Sequence, residues 1–363
     1  MLSSHLERLG LVCPTCRAFG RPAPRLGVGT LIHVEPGPGG DDDLIEGVLV
    51  CPGCLREHPI LDGVVVAVAD VASWIEHQGD AILRRHDLSP FTESMLGDAL
   101  GRGGSFDKER HDLSTYGQAQ WSDRAEADPL PAAGRMPELL ATALATLPAP
   151  PTGLWLDAGC ALGRGTLDLA AAGAELVVGV DLNMAMLRRA EVARRTGVMR
   201  WPRRRVGQVF DPGVARCDDL PRDRVAFVCA DVGVLPLVDG AVAGALSLNV
   251  LDCVPSPVAH LCELGRVVGD GGAVLLSTPY DWATNAATME HWLGGHSQRG
   301  EQRGASEPEL RRLLSPERAA GIDTGLTIAA ERDDVPWLLT LNARSVMHYR
   351  LHLLRLARTA RAA

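Results

Sequence analysis

From Gly153 onward, short continuous apolar runs alternate with stretches whose apolar positions recur at helical spacing. The runs Leu154–Ala158, Leu176–Val180, Val225–Cys229, Val242–Leu248 and Ala273–Ser277 predict strands covered on both faces. Helices are expected over 164–172, 183–195 and 256–268. That alternation predicts an α/β fold, a doubly wound and mostly parallel sheet. In the tail, Met347, Tyr349, Leu351 and Leu353 alternate with His348, Arg350 and His352, the period of an edge strand. Met347, Leu351 and Leu354 also suit a helix face, so the strand is the preferred reading of two. Residues 71–150 look mainly helical, broken at Gly101–Gly104. Residues 1–70 carry shorter alternation, Ile45, Val48 and Val50 and then Val64–Val68, around a Gly/Pro/Asp loop from Glu35. The chain therefore divides into 1–70, a helical bridge 71–140, and a main unit 141–363.

Four of the nine cysteines sharpen the first segment: Cys13-Pro-Thr-Cys16 and Cys51-Pro-Gly-Cys54. Two C-x-x-C pairs separated by 34 residues predict a zinc ribbon in which each pair makes a knuckle facing one ion. A redox pair is the competing reading. Four thiolates close the coordination sphere, so this zinc is structural. The other five cysteines lie singly in apolar stretches and read as small core residues. Met1 to Gly10 has no apolar run, and nothing approaches a membrane span, so a reducing cytoplasmic setting without membrane contact is expected.

Composition excludes further classes. With 36 basic against 45 acidic residues the net charge is −9, which opposes general nucleic-acid or membrane-surface binding. Lys108 is the only lysine, so Schiff-base and P-loop chemistry would rest on it alone. One local exception stands out. Eight arginines lie between Arg188 and Arg205 against a single acid, Glu191. They predict a solvated helix face and loop, or else a surface for RNA or an acidic protein.

The sharpest motif is Leu154-Trp-Leu-Asp157-Ala-Gly159-Cys-Ala161-Leu-Gly163-Arg164-Gly165. An apolar strand ends in an acid, a glycine-punctuated turn follows, and a helix begins. Such a turn lets backbone approach a ligand, with the helix N-terminus favouring negative charge. Its spacing is not the G-x-G-x-x-G of dinucleotide folds. The D-x-G-x-x-x-G pattern resembles the first motif of class I S-adenosylmethionine (SAM) methyltransferases. The next two strands also end in acids: Asp181, followed by Leu182, and Asp231, followed by Val232. In such a fold Asp181 is placed to take the ribose hydroxyls and Asp231 the adenine amino group, with Val232 against the ring. Each could instead cap a helix. Three acids at successive carboxyl strand ends suit a cofactor crevice. Expected cofactor residues are thus Asp157, Gly159, Gly163, Arg164, Asp181, Leu182, Asp231, Val232 and Asn249.

The fourth strand ends in Asn249-Val-Leu-Asp252, and the fifth in Thr278-Pro-Tyr280-Asp-Trp282, followed by Trp292-Leu-Gly-Gly295. With the cofactor loop, these resemble the C-terminal methyltransferase domain of ovothiol-synthesis enzymes, which methylates an imidazole nitrogen of a thiolated histidine, and the similar protein histidine methyltransferases. The likeness spans roughly 153–300 and weakens toward 355. The resemblance implies a seven-stranded Rossmann-like sheet, SAM as cofactor, and Asn249, Asp252 and Tyr280 orienting an imidazole acceptor, as a small molecule or a peptide. No iron-dependent sulfoxide-synthase region is present. Instead the N-terminal segment resembles the zinc-ribbon protein that activates several tRNA, rRNA and protein methyltransferases, through its first cysteine pair and Cys51-Pro-Gly-Cys54 followed by Pro59–Val64. That likeness keeps an RNA or ribosome-linked acceptor as the alternative, and a non-catalytic adaptor as a second.

Overall fold

The computed structural model describes residues 1–125, 135–317 and 321–359. The bridge expected over 71–140 thus has part of its length, 126–134, outside the described residues.

The N-terminal segment begins with α1 (Ser3–Leu9) and α2 (Pro14–Ala18), then four strands: β1 (Gly27–Pro36), β2 (Asp42–Val50), β3 (Glu57–Leu61) and β4 (Val64–Val66). The bridge follows as α3 (Val71–Leu83), α4 (Pro90–Leu100), α5 (Ser105–Trp121) and α6 (Arg135–Leu144). The remainder alternates: β5 (Leu154–Ala158), α7 (Arg164–Ala171), β6 (Leu176–Asp181), α8 (Met184–Thr196), β7 (Val198–Val206), β8 (Val209–Arg216), β9 (Val225–Cys229), β10 (Val242–Leu248), α9 (Pro257–Val267), β11 (Val268–Thr278), α10 (Ser306–Leu313), β12 (Leu326–Asn342) and β13 (Ser345–Arg358). Local chemistry sets these ends. Asn183 Oδ1 accepts from Met186 N at 3.2 Å to start α8, and Gly197, at φ 74°, terminates it. Ser256 and then Pro257 start α9 in the same manner.

The sheet is larger than seven strands. Eleven strands run β1-β2-β3-β4-β9-β6-β5-β10-β11-β13-β12. From β4 to β11 through β9, β6, β5 and β10 the pairing is parallel; β13 lies antiparallel between β11 and β12. The expected seven-stranded sheet with a separate ribbon is therefore corrected to one mixed sheet. The cause is β4, which pairs with β9 at Val65–Val228 and Val66–Cys229 and splices β1, β2 and β3 onto its edge. The strand reading of the tail holds, but its edge position is corrected: β13 pairs with β11 on one side and β12 on the other and is interior.

A charged seam welds that splice. Arg194, on α8 and buried, donates to Asp43 of β2 and to Glu191, and the Met1 ammonium meets Asp43 at 2.9 Å and Gly63 O at 2.9 Å. Groups so deeply desolvated persist only with every partner in place. The arginine-rich stretch differs from the loop expected. After α8 it forms a hairpin, β7–β8. Its arginines are largely engaged: Arg188 with Asp62, Arg195 with Glu35, Arg205 with Asp211, and Arg189 on the carbonyl of Arg200. Trp201, the aromatic there, is 2% exposed and donates to Gln118 Oε1 at 3.2 Å. That removes it as a platform for stacked bases. Among the described residues no helix is long and apolar enough to cross a membrane.

Candidate functional site

The carboxyl ends of β5, β6, β9, β10 and β11 open into a cavity of about 690 Å³. Successive parallel strands deliver their last residues to one edge, which is why residues so distant in sequence meet there. Gly159, Asp181, Leu182, Asp231, Val232, Asn249 and Asp252 line it, seven of the sequence-predicted residues. Asp157, Gly163, Arg164 and Tyr280 do not.

The glycine turn is shaped by close approach. Gly159 has φ 77°, and a Cβ there would lie 2.4 Å from Val250. Gly163 has φ 75°, with Phe227 at 2.6 Å from a Cβ. Asp157 sits behind the turn, accepting from Thr166 Oγ1 at 2.7 Å; burial raises its pKa to about 6. Asp181 holds the turn from the next strand. Its Oδ2 accepts from Ala161 N and its Oδ1 from Asn183 N, both at 2.9 Å, while burial raises its pKa. Asp231 Oδ1 accepts from Gly233 N at 2.7 Å.

Arg164 points away from the cavity into the bridge. It pairs with Asp123 at 2.8 Å and Asp168 at 2.8 Å, donates to Gln120 O at 3.0 Å, and lies over the Trp121 ring. Gln120 in turn donates to Cys160 O, and Trp121 Nε1 to Leu162 O. The end of α5 therefore clamps the glycine turn from behind. One face of that helix also forms a cavity wall: Asp112, Tyr116, Ala119 and Gln120, at i, i+4, i+7 and i+8. The sequence reading above treats this helix as part of the bridge. The spacing of those four positions was the available signal.

On the opposite side, Asn249 adopts φ 58° and is fixed by Ser277: Asn249 N donates to Ser277 O at 2.8 Å, and Ser277 Oγ donates to Asn249 Oδ1 at 2.8 Å. Its Nδ2 is buried without a hydrogen-bond partner. A buried donor left unmatched is costly, and an acceptor from a water or a ligand would satisfy it. Asp252 is buried, accepts from Thr278 Oγ1 at 3.0 Å, and has its pKa raised to about 6 by desolvation, with Asp281 adding repulsion. Asp281, also lining the cavity, accepts from Tyr349 OH at 2.8 Å. Trp282, Trp337 and Tyr349 add aromatic faces; Trp282 stacks on Trp292 with centroids 6.1 Å apart. Trp337 and Tyr349 are cross-strand partners, so the β12–β13 hairpin presents them together. Tyr280 turns its hydroxyl to His352 Nδ1 at 2.7 Å, and His352 Nε2 lies 3.0 Å from Glu331. It anchors the segment carrying Asp281 and Trp282 to that hairpin.

The second chemical cluster is separate. The thiols of Cys13, Cys16, Cys51 and Cys54 lie within 4.8 Å of one another. Cys13 and Cys54 sulfurs are 3.7 Å apart, and those of Cys16 and Cys51 3.8 Å. Zn–S bonds of about 2.3 Å make the edge of a regular tetrahedron about 3.8 Å, so the four fit a zinc ion. Backbone N–H groups of Cys16 and Cys54 donate to the first sulfur of each pair at 3.4 Å, as a knuckle requires.

Comparison with known proteins agrees with the crevice. Residues 156–276 match the family model described as a methyltransferase domain. A protein of transposon TN4556 from Streptomyces fradiae, known by its mass of 37.1 kDa, is 32% identical over 129 residues. The match spans 35% of this chain and only 30% of that relative. A chain of the complex between the Haloferax volcanii Trm112 methyltransferase activator and its candidate methyltransferase is 17% identical, covering 62% of this chain and 91% of its own, with TM-score 0.40. A SAM-dependent methyltransferase of Methanosarcina mazei is 20% identical, covering 57% of this chain and 92% of its own, with TM-score 0.37. The stretch that matches the methyltransferase-domain model, residues 156–276, contains all three strand-end acids, Asp157, Asp181 and Asp231.

Proposed function

We propose that the chain is a SAM-dependent N-methyltransferase acting on an imidazole, histidine-like acceptor, carried by a small molecule or peptide. The observation that carries this reading is the unpartnered Nδ2 of Asn249, lining the cavity beside the buried carboxyl of Asp252. SAM fits the residues present: Gly159 and Leu182 would border it, Asp181 would take the ribose hydroxyls, Asp231 the adenine amino group, and Val232 the ring. When bound, SAM supplies an electrophilic methyl on sulfur. Asn249 would then contribute its free donor at the junction of cofactor and acceptor. Asp252, carrying its charge at pH 7 but close to titration, would accept from one ring N–H and so leave the other nitrogen with its lone pair free. A neutral imidazole, with an ordinary pKa near 6.5, needs positioning more than activation. Tyr280 acts as a positioning residue through His352. Arg164 acts on the cofactor turn through Gln120 rather than by touching the ligand. The four cysteines hold a structural zinc.

Transfer of labelled methyl from SAM into a panel of imidazole compounds, histidine peptides and RNA tests this. Label in an imidazole nitrogen supports it. Label in RNA alone would move the acceptor to the RNA reading, and no SAM binding by calorimetry would leave the adaptor reading.

A further inference from the structure

The charge of the cavity wall narrows the acceptor further. Five aspartates line it, Asp112, Asp181, Asp231, Asp252 and Asp281, and among the described residues no arginine, lysine or histidine does. They are not a metal site: among the described residues the only group with metal-holding geometry is the four cysteines. Asp181 and Asp231 lie on the side assigned above to the cofactor. The other three surround the acceptor side at different depths, with Asp252 buried and Asp112 and Asp281 exposed at the mouth. Aromatic faces stand among them, Tyr116, Trp282, Trp337 and Tyr349. Acids interleaved with aromatic faces attract an organic cation by charge and by the ring quadrupole. An acceptor carboxylate or phosphate would meet this wall without one basic partner, a repulsion of the kind that excludes wrong ligands.

We propose that the acceptor is a cation without an anionic group of its own: an imidazole bearing a protonated amine arm, with that arm held at the mouth by Asp281 and Asp112 and its ring deeper, against Asp252. This rests on the N-methyltransferase reading and adds the charge of the substrate to it. A zwitterionic free amino acid is disfavoured, and so is a nucleic acid.

The test is calorimetric titration of the full chain, saturated with S-adenosylhomocysteine, using histamine, 4-methylimidazole, histidine and imidazole propionic acid at low and high salt. Expected is an order with histamine first, at least about tenfold tighter than the propionic acid, the gap shrinking with salt. Asp281→Asn should cut that ratio by about fivefold or more, and Asp281→Glu should restore it; a melting curve on each variant shows whether it is folded. Equal or preferred binding of the propionic acid overturns the proposal, as does an unchanged ratio in folded Asp281→Asn. Putrescine, a cation without an imidazole, separates the two readings. If it displaces histamine while no imidazole accepts labelled methyl, the cation site stands and the imidazole reading falls. If imidazoles accept methyl regardless of their charge, the reverse holds.

Discussion

The two chemical clusters of this chain are both gatherings of like groups, four cysteines and five aspartates, yet they are finished to different degrees. The sulfurs face one another at 3.7–3.8 Å across each pair of knuckles, three of the four residues are buried, and His58 backs them. One tetrahedral ion satisfies all four and leaves no open position. The aspartates ring a cavity of about 690 Å³ instead, and beside them a buried amide donor has no partner. A closed site stabilises; an open one with unmatched polar groups binds. The cysteines lie at α2 and in the β2–β3 turn, on the segment that β4 joins to the sheet, and the cavity lies at the carboxyl ends of the sheet's central strands.

Breaking the closed cluster should have the largest effect. Cys16→Ser, or a strong chelator, is expected to lower the melting temperature by about 10 °C or more, since structural zinc contributes folding energy and β4 belongs to the main sheet. Metal analysis should return one zinc per chain, and a parent protein whose melting curve ignores the chelator would show the cluster to be dispensable. Breaking the open cluster should instead spare the fold. Asn249→Asp keeps the left-handed backbone and the oxygen that Ser277 donates to, while the free donor becomes an acceptor. Turnover of methyl transfer should fall by about 100-fold, with the melting temperature within a few degrees. Normal turnover in that variant would remove Asn249 from the reaction.

Asp252 allows a sharper contrast, because its effect on stability and on activity should run in opposite directions. Its carboxyl titrates near 6 in the fold against 3.8 unperturbed, so between those values the folded chain holds more protons than the unfolded one. Stability therefore falls as pH rises through that window. A raise of this size corresponds to about 2–3 kcal/mol of lost stability above it. Asp252→Asn keeps an oxygen for Thr278 and loses the charge. It should be more stable than the parent at pH 7, with the advantage gone below pH 4 in denaturant melts, yet poorer in methyl transfer. A variant less stable at pH 7 would mean that the charge is matched by something the structure does not show.

Much of this was readable in the chain. Apolar runs set the strands at Leu154–Ala158, Val225–Cys229 and Val242–Leu248 to the residue, because a strand buried on both faces needs continuous apolar side chains. The order of strand-end acids placed Asp181 and Asp231 on one cavity wall for the same reason. What could not be read was long-range or directional. Nothing local in Val64–Val66 says that it will pair with a strand 160 residues later. Arg200 and the run Arg203–Arg205 hid the hairpin of β7 and β8, whose buried apolar face is short, Met199, Trp201 and Ala215, with ion pairs holding the rest.

Arg164 is the clearest case of direction, and it supplies the smallest expected effect. A motif gives the residue but not the way its side chain turns: toward the ligand or back into the protein. Here it turns back, into Asp123 and Asp168, with Gln120 linking it to the turn. Arg164→Lys keeps the charge but loses the planar fork that holds two carboxylates at once. The melting temperature should drop by a few degrees while SAM affinity, measured by calorimetry, stays within about threefold. If the guanidinium instead reached the cofactor, affinity would fall by tenfold or more with little change in melting. The ratio of those two losses therefore decides whether this arginine belongs with the closed, stabilising half of the molecule or with the open, binding half.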